Sequence, residues 1–164
     1  IAYHHPSQPF QLDADRYEMV SLGQEVISPY SKADADGQPV HRLPGRAGQP
    51  LPYLGYAPGA YLGRVTELIL KESGTPIHLE RVYETDMAEG LKAMALEGHG
   101  LTFLPASSVK KELQAQRLVQ AAPPGQFELT MELRIYRERP ELCRRSKPGA
   151  QALWDFLTQH KSLA

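Results

Sequence analysis

The stretch that most constrains the fold is ERVYETDMAEGLKAMALEGHGLTFLP, from Glu80 to Pro105. Its extended apolar part ends at Val82, and Thr85 and Asp86 then offer short side-chain oxygens where a helix N-terminus needs hydrogen-bond acceptors. Asp86 and Glu89 have the spacing of a capping box. Apolar residues then recur at helical spacing, which predicts a helix with one buried face: Met87, Leu91, Met94 and Ala95.

Two glycines mark the end of this helix. Gly98 and Gly100 bracket the helix exit, and the short apolar run Leu101–Leu104 then predicts a buried strand. A strand, a helix and a second strand in this order form a parallel crossover. Such a crossover leaves the helix N-terminus at the carboxyl edge of the sheet, where small ligands and anions bind.

The same order occurs earlier in the chain. Pro52–Tyr56 is a short apolar strand, which breaks at Ala57-Pro58-Gly59. One helix face then follows, carried by Leu62, Val65, Leu68 and Ile69, before the next strand at Ile77–Val82. Two strand-to-helix turns, one at Gly59 and one at Thr85, are therefore predicted to meet at one sheet edge.

The two ends of the chain are richer in strand patterns. Ile1–Tyr3 resembles the end of a buried strand, and Tyr17–Tyr30 predicts a long strand or a pair of strands. Residues 129–136 alternate apolar and polar side chains, as a strand with one buried face does. The last segment predicts an amphipathic helix with Trp154 on its flank and an inner stripe formed by Ala152, Leu153, Phe156 and Leu157.

Two segments between these elements read as spacers. Residues 31–49 are rich in Gly, Pro, Asp and Ala, which predicts a mobile surface loop, and residues 121–125 read Ala-Ala-Pro-Pro-Gly. The strand-rich ends of the chain connect to its middle part through these two spacers. This arrangement indicates an α/β fold of two lobes, with the chain crossing between them twice.

Charge and composition exclude several classes of function. Eighteen basic against 19 acidic residues give a net charge of -1, which does not supply the positive surface that nucleic acids need. One cysteine permits no intrachain disulfide, and no apolar run approaches the roughly 18 residues of a membrane span, so we expect a reducing, cytoplasmic location without membrane contact. The chain starts at Ile1 in what reads as the middle of a strand, and we interpret it as a fragment.

The segment around Thr85 resembles the C-terminal effector-binding domain of LysR-type transcriptional regulators. That family has a loose signature in which a Ser or Thr precedes a helix ending L-V-x-x-G-x-G-x-x-x-L-P. Here Thr85 stands at the hydroxyl position, Met94-Ala95 replaces the Leu-Val pair, and Gly98-x-Gly100 and Leu104-Pro105 match. The run YAPGAYLGR at residues 56–64 is also similar to the family's turn and helix after the first strand of the second lobe.

The resemblance implies a two-lobed fold of the periplasmic-binding-protein type 2 with two crossing strands and an effector cleft between the lobes. It assigns residues 1–29 and 127–164 to an incomplete lobe I and residues 30–126 to lobe II. A helix-turn-helix domain, absent from this chain, would carry the contact with DNA. The family acts as a homodimer or homotetramer.

The resemblance and the predicted turns together give a set of effector-binding residues: Tyr3, His4, His5, Ala57, Pro58, Gly59, Thr85, Asp86 and Phe103. Two interpretations of Thr85 and Asp86 stay open, since they either contact the effector or merely cap the helix. An ionised Asp86 would repel an anion, which favours a neutral, cationic or oxidant signal. His4 and His5 point to opposite faces of a strand, so no metal site or cofactor is expected.

A redox signal is the second option. The sequences YAPGAYLGR and YETDM resemble those of the hypochlorite-responsive branch of the family, in which methionine oxidation is the signal. The candidate residues are Met87, Met94, Met131 and Cys143, the last beside Arg144 and Arg145. Core packing is the alternative for all three methionines, because methionine fills irregular gaps in cores.

No catalytic motif accompanies these features. The chain has no G-x-S-x-G and no Walker-type glycine loop, and GHG at 98–100 is explained as a helix exit, so an enzyme is not expected. The remaining alternative is a solute-binding protein that delivers a ligand to a transporter. The residues before Ile1 would distinguish the two, since a helix-turn-helix favours the regulator and a signal peptide favours the transport protein.

Overall fold

The computed structural model describes residues 1–143 and 147–159. The chain packs as two compact units, which we call unit 1, residues 1–25 with the described residues from 130 onward, and unit 2, residues 26–129. The predicted α/β class is confirmed. The predicted lobe boundaries stay a prediction.

The elements follow one another in this order: β1 Ala2–His4, β2 Tyr17–Lys32, β3 Leu51–Tyr56, α1 Tyr61–Glu72, β4 Leu79–Thr85, α2 Ala88–Leu96, β5 Thr102–Pro105, a short 3-10 helix Ala106–Val109, α3 Lys110–Gln114, β6 Leu118–Gln120, β7 Leu129–Glu138 and α4 Pro148–Gln159. Within the described part of the chain, no helix is both long enough and apolar enough to cross a membrane.

Unit 1 is built on an antiparallel pairing of β1 with β7, in which Tyr3 lies opposite Leu133. Its helix α4 buries Trp154, which is 7% exposed. The Arg137 guanidinium lies 4.5 Å from the centre of the Trp154 ring and pairs with Glu18 at 2.8 Å. This arginine therefore links α4 to two strands of the same unit.

The predicted inner stripe of α4 is wrong. Leu153 and Phe156 are 52% and 56% exposed, Ala152 is also exposed, and Leu157 is only half-buried, whereas Trp154 points inward. Apolar residues cover much of this helix's surface, so periodicity alone does not select the packed face. The large indole face, stacked on a cation, decides the orientation.

Unit 2 contains the predicted crossover. β3 and β4 run parallel, with Leu51 opposite Leu79 and Tyr56 opposite Thr85. Leu101 forms a parallel bridge to Tyr53, so the chain leaving α2 returns on the other side of β3. The core of this unit consists of side chains that are completely buried, including Leu54, Leu91, Leu104, Val109 and Leu118. Burial of each such side chain contributes about 1.5–3 kcal/mol to folding.

The two glycines of the predicted helix exit have different physical roles. Gly98 has φ +86°, and its N–H donates to Ala95 O at 2.9 Å, which ends α2 in the left-handed conformation that glycine adopts without strain. Gly100 allows a close approach of two backbones, because a Cβ at this position would lie 2.6 Å from Pro52 O.

The predicted capping box at the start of α2 is wrong. The N-cap residue is Met87, no side chain caps the helix, and the Glu89 carboxylate pairs instead with Lys92 at 2.8 Å. Met87 is 62% exposed and does not belong to the buried stripe. The reason is that β4 extends to Thr85, so the chain needs two further residues to turn before the helix begins.

Residues 31–49 are more firmly held than their composition predicts. The Asp34 carboxylate accepts hydrogen bonds from the N–H groups of Asp36 and Gln38, both at 2.9 Å. Leu43 is 4% exposed, and its N–H donates to Ala121 O at 2.8 Å. Local carboxylate turns and one buried leucine anchor this loop, and composition alone does not reveal such contacts.

Candidate functional site

The carboxyl ends of β3 and β4 lie side by side, as the sequence predicts. Tyr56 is opposite Thr85, and the N–H of Ala57 donates to Thr85 O at 2.9 Å. The two chain segments that turn from strand to helix therefore start within one hydrogen bond of each other. We call the surface formed by residues 57–61 and 85–89 the turn edge.

The first turn leads into α1. Pro58 and Gly59 are exposed, and Gly59 has φ +86°. The N-cap residue Ala60 provides no side-chain cap, so the first N–H groups of the helix receive no side-chain oxygen. The turn is instead held from its carbonyl side, because Arg64 donates to Gly59 O at 2.6 Å.

Arg64 is a positioning residue that sequence analysis did not single out. Besides its bond to Gly59, its guanidinium lies 5.6 Å from the centre of the Tyr61 ring. A signal was available in the sequence, since an arginine in the first turn of a helix lies within reach of the turn that precedes it. A Cβ on Gly63 would lie 3.1 Å from Tyr56 Cβ, so glycine at this position lets α1 begin tightly against the end of β3.

The second turn leads into α2 and places Thr85 at its base. The half-buried Thr85 accepts a hydrogen bond from the N–H of Met87 through its Oγ1, at 3.3 Å. A threonine hydroxyl has one donor and two acceptor positions. Its O–H hydrogen makes no bond with the residues that the structure describes, so it can donate to a ligand.

The charges at the turn edge are unevenly paired. Glu89 pairs with Lys92 at 2.8 Å, and Glu84, which directly precedes the turn edge, pairs with Arg81 at 2.8 Å. The exposed Asp86 makes neither an ion pair nor a hydrogen bond within residues 1–143 and 147–159. Helix N-termini attract anions with roughly half a positive charge each, so the full charge of Asp86 offsets about two such ends. The turn edge therefore offers a carboxylate little net electrostatic attraction.

Phe103, in β5, has no exposed area. Its ring packs edge-to-face on Tyr53, with 6.4 Å between the ring centres. Burial raises the pKa of the Tyr53 phenol to about 12, although the positive charge of Arg81 opposes this shift. Because the Phe103 ring is fully buried, a direct contact with an effector would require repacking of the core of unit 2.

The predicted site residues of unit 1 are held by local contacts. His4 Nδ1 lies 3.0 Å from Phe10 O, and His5 Nδ1 accepts the N–H of Ser7 at 3.1 Å. Burial, followed by the nearby charge of Glu25, raises the pKa of the Tyr3 phenol. Among the described residues, no group of three His, Cys, Asp or Glu side chains is placed to bind a metal ion.

The predicted redox residues differ sharply in exposure. Met87 is 62% exposed at the start of α2, Met94 is half-buried against the core of unit 2, and Met131 is 1% exposed. Cys143 is half-buried. Arg144 and Arg145, which the sequence places beside this thiol, lie outside the described residues.

Comparison with known proteins places this geometry in context. The family model of the LysR substrate binding domain matches residues 15–162. The HTH-type transcriptional regulator YjiE of Escherichia coli (strain K12) is 25% identical over 144 residues, which are 87% of this chain and 44% of YjiE. The chain thus spans less than half the length of that relative.

Solved structures show the same fold. The regulatory domain of HypT from Salmonella typhimurium is similar with a TM-score of 0.77 and 21% identity, over 99% of this chain and 71% of that domain. DarR of Vibrio fischeri, solved in complex with DNA, has a TM-score of 0.76 and 22% identity, over 94% of this chain and 48% of DarR. The predicted type 2 periplasmic-binding-protein fold is confirmed.

Proposed function

The chain belongs to the family of LysR substrate-binding domains, and we propose that it senses a small molecule or an oxidant at the turn edge and relays the change to a DNA-binding domain. The observation that carries the proposal is the 2.9 Å hydrogen bond from Ala57 to Thr85, which joins two uncapped helix starts at one surface. A ligand that contacts both turns would favour one arrangement of α1 and α2 over another. A sensor domain transmits a signal through such a shift in the populations of its conformations.

The chemistry of the turn edge supports a neutral or cationic effector that carries a hydrogen-bond acceptor. Thr85 has an O–H hydrogen to donate, and the uncapped N–H groups of both helices offer further donors. The unpaired Asp86 carboxylate attracts an amine and repels a second carboxylate. An amino acid or an amine with a carbonyl oxygen fits these groups better than a simple acid.

An oxidant could act at the same surface. Met87 is the N-cap residue of α2 and is 62% exposed, so its thioether is open to hypochlorite. Oxidation to the sulfoxide adds a polar acceptor oxygen beside N–H groups that no side chain caps. The new oxygen can bond to these groups and stabilise the start of α2, which would couple oxidation to the geometry of the turn edge.

The partners that we propose follow from the family. DNA would be bound only through an N-terminal helix-turn-helix domain, and the domain would act within a cytoplasmic homodimer or homotetramer. The net charge of -1 agrees with this division, because the chain itself offers no general phosphate-binding surface.

Replacement of Thr85 by valine tests the proposed role of the turn edge. A thermal-shift screen of amino acids, amines and small acids first identifies a ligand, and calorimetry then gives its Kd. Loss of one hydrogen bond should weaken binding about tenfold, or roughly 1.4 kcal/mol, while the folded state loses at most about 1 kcal/mol.

Thr75→Val is the matched control, because this exposed threonine precedes β4 and lies away from the turn edge. It should bind the ligand as the unaltered protein does. If Thr85→Val leaves the Kd unchanged, Thr85 has a purely structural role, and the turn edge is not the sensing site.

A further inference from the structure

A groove lies at the other end of β3 from the turn edge. Its volume is ≈ 570 Å³, and it is lined by residues 40–46 and 49–52. The six residues of β3 separate its two ends by roughly 17 Å, at about 3.3 Å per residue. The groove is therefore distinct from the proposed effector site, and we call it the loop groove.

The charge of the loop groove is entirely positive. Arg42 and Arg46 line it together with His41, and none of the lining residues is acidic. Both arginines are exposed, and neither guanidinium group forms an ion pair or a hydrogen bond within the described part of the chain. Glu80 lies opposite Pro52 in the β3–β4 register, yet it is not among the residues that line the groove.

A further cation belongs to the same neighbourhood. His41 Nε2 lies 3.2 Å from Gly98 O, and the Lys32 side chain approaches Gly98 so closely that a Cβ there would be 3.2 Å from Lys32 Cδ. Asp34, the acidic residue nearest to Lys32 in sequence, directs its carboxylate to the N–H groups of its own turn. Asp34 therefore forms no ion pair with Lys32 within the described residues.

The backbone that carries the arginines is fixed on both sides. Pro44 O accepts the N–H of His78 at 2.9 Å, and Arg46 O accepts the N–H of Gln49 at 3.1 Å. Gly45 has φ +77°, and a Cβ there would lie 2.8 Å from His78 O. With Leu43 buried beneath them, the two guanidinium groups extend from a preorganised loop, which reduces the entropy lost when a ligand binds.

The rest of the lining is uncharged and mainly apolar. Val40 is 48% exposed, and the lining is completed by Leu43, Gly45, Leu51, three prolines and the polar side chain of Gln49. A guanidinium pairs with carboxylate or phosphate oxygens through two parallel hydrogen bonds, and an apolar group of the same ligand can cover the valine and leucine. We propose that the loop groove is a second binding site, which takes a small organic anion: a carboxylate or phosphate ester attached to an apolar group.

An NMR titration of the full chain with phenyl phosphate tests the proposal. Backbone amides of Gly45 and Gly48 report on the groove, and benzyl alcohol serves as the uncharged probe. Saturable shifts are expected with phenyl phosphate and not with benzyl alcohol. The double variant Arg42→Gln/Arg46→Gln should bind phenyl phosphate at least tenfold more weakly.

The matched control removes two positive charges elsewhere in unit 2. Lys110→Gln/Lys111→Gln changes two exposed lysines at the start of α3, and its affinity should stay within twofold of the unaltered protein. Gly45→Ala keeps the charges but displaces the loop, and it should also weaken binding.

If the arginine and lysine variants bind phenyl phosphate equally weakly, the binding depends only on overall charge, and the proposed site is wrong. Shifts that do not saturate would overturn it as well. A hexaglutamate peptide that binds more tightly than phenyl phosphate would replace the small anion with an acidic protein segment, which also contradicts the proposal. None of these results depends on the Thr85 experiment, so the two sites succeed or fail separately.

Discussion

Gly100 offers a sharp test of how the crossover is held together. A Cβ at this position would lie 2.6 Å from Pro52 O, 3.0 Å from Pro52 C and 3.1 Å from Leu54 Cγ. Two of these atoms belong to the backbone of β3, so a side-chain rotation cannot relieve the steric clash. Gly100→Ala must therefore separate the chain leaving α2 from the strand.

The structure sets the size of the effect. Overpacking of a tight interior costs about 1–3 kcal/mol. The displacement also strains the bond from the N–H of Leu101 to Pro52 O, which is 3.0 Å long, and loss of such a bond adds about 1 kcal/mol. We expect Gly100→Ala to lower the free energy of unfolding by about 2–4 kcal/mol, a large share of the roughly 5–15 kcal/mol of an ordinary domain.

Urea denaturation followed by far-ultraviolet circular dichroism measures this change. Hydrogen exchange then locates it, since the amides of Leu54 and Leu101 should exchange faster. Gly149→Ala is the matched control, because Gly149 lies in the first turn of α4 with nothing within 4 Å of its Cβ position, and alanine there should be neutral or stabilising. Substitutions at uninvolved surface sites change the free energy of unfolding by about 0.5 kcal/mol or less. A Gly100→Ala change within that margin would refute the reasoning.

Three further predictions concern oxidation, pH and the packing of unit 1. Under limiting hypochlorite, mass mapping should find Met87 oxidised first and Met131 last, in line with exposures of 62% and 1%; equal rates in the folded protein would contradict the assigned packing. Burial raises the pKa of the Tyr53 phenol to about 12, whereas the unfolded chain releases this proton from about pH 10. The free energy of unfolding should therefore fall by about 2 kcal/mol as the pH rises from about 10 to about 12. Tyr53→Phe should abolish that part of the fall. Arg137→Lys removes the planar cation over Trp154 and should destabilise unit 1 by roughly 1 kcal/mol with a change in tryptophan fluorescence; an unchanged emission spectrum would mean that the stacking is absent in solution.

The order of elements was predictable because local chemistry determines it. Gly98 ends one helix, and apolar residues at helical and alternating spacing distinguish helices from strands. The adjacency of Ala57 and Thr85 followed from the same reasoning, since two parallel strands that each lead into a helix bring their carboxyl ends to one edge.

The errors arose where a choice depends on contacts that are distant in sequence. The orientation of α4 is decided by Arg137 stacking on Trp154, and no local period encodes that contact. The start of α2 depends on how far β4 continues, which the pairing of Thr85 with Tyr56 determines. The loop groove was missed for the same reason, since His78 and Ala121 anchor its loop from positions well outside residues 40–52.

Hydrogen exchange of the full chain, with and without the ligand found in the thermal-shift screen, tests the central claim most directly. Saturating ligand should slow exchange at residues 57–62 and 85–90 together, because both turns contact it, and Thr85→Val should reduce this protection. Protection confined to other segments, with both turns exchanging as before, would contradict the turn edge as the place where the signal is sensed.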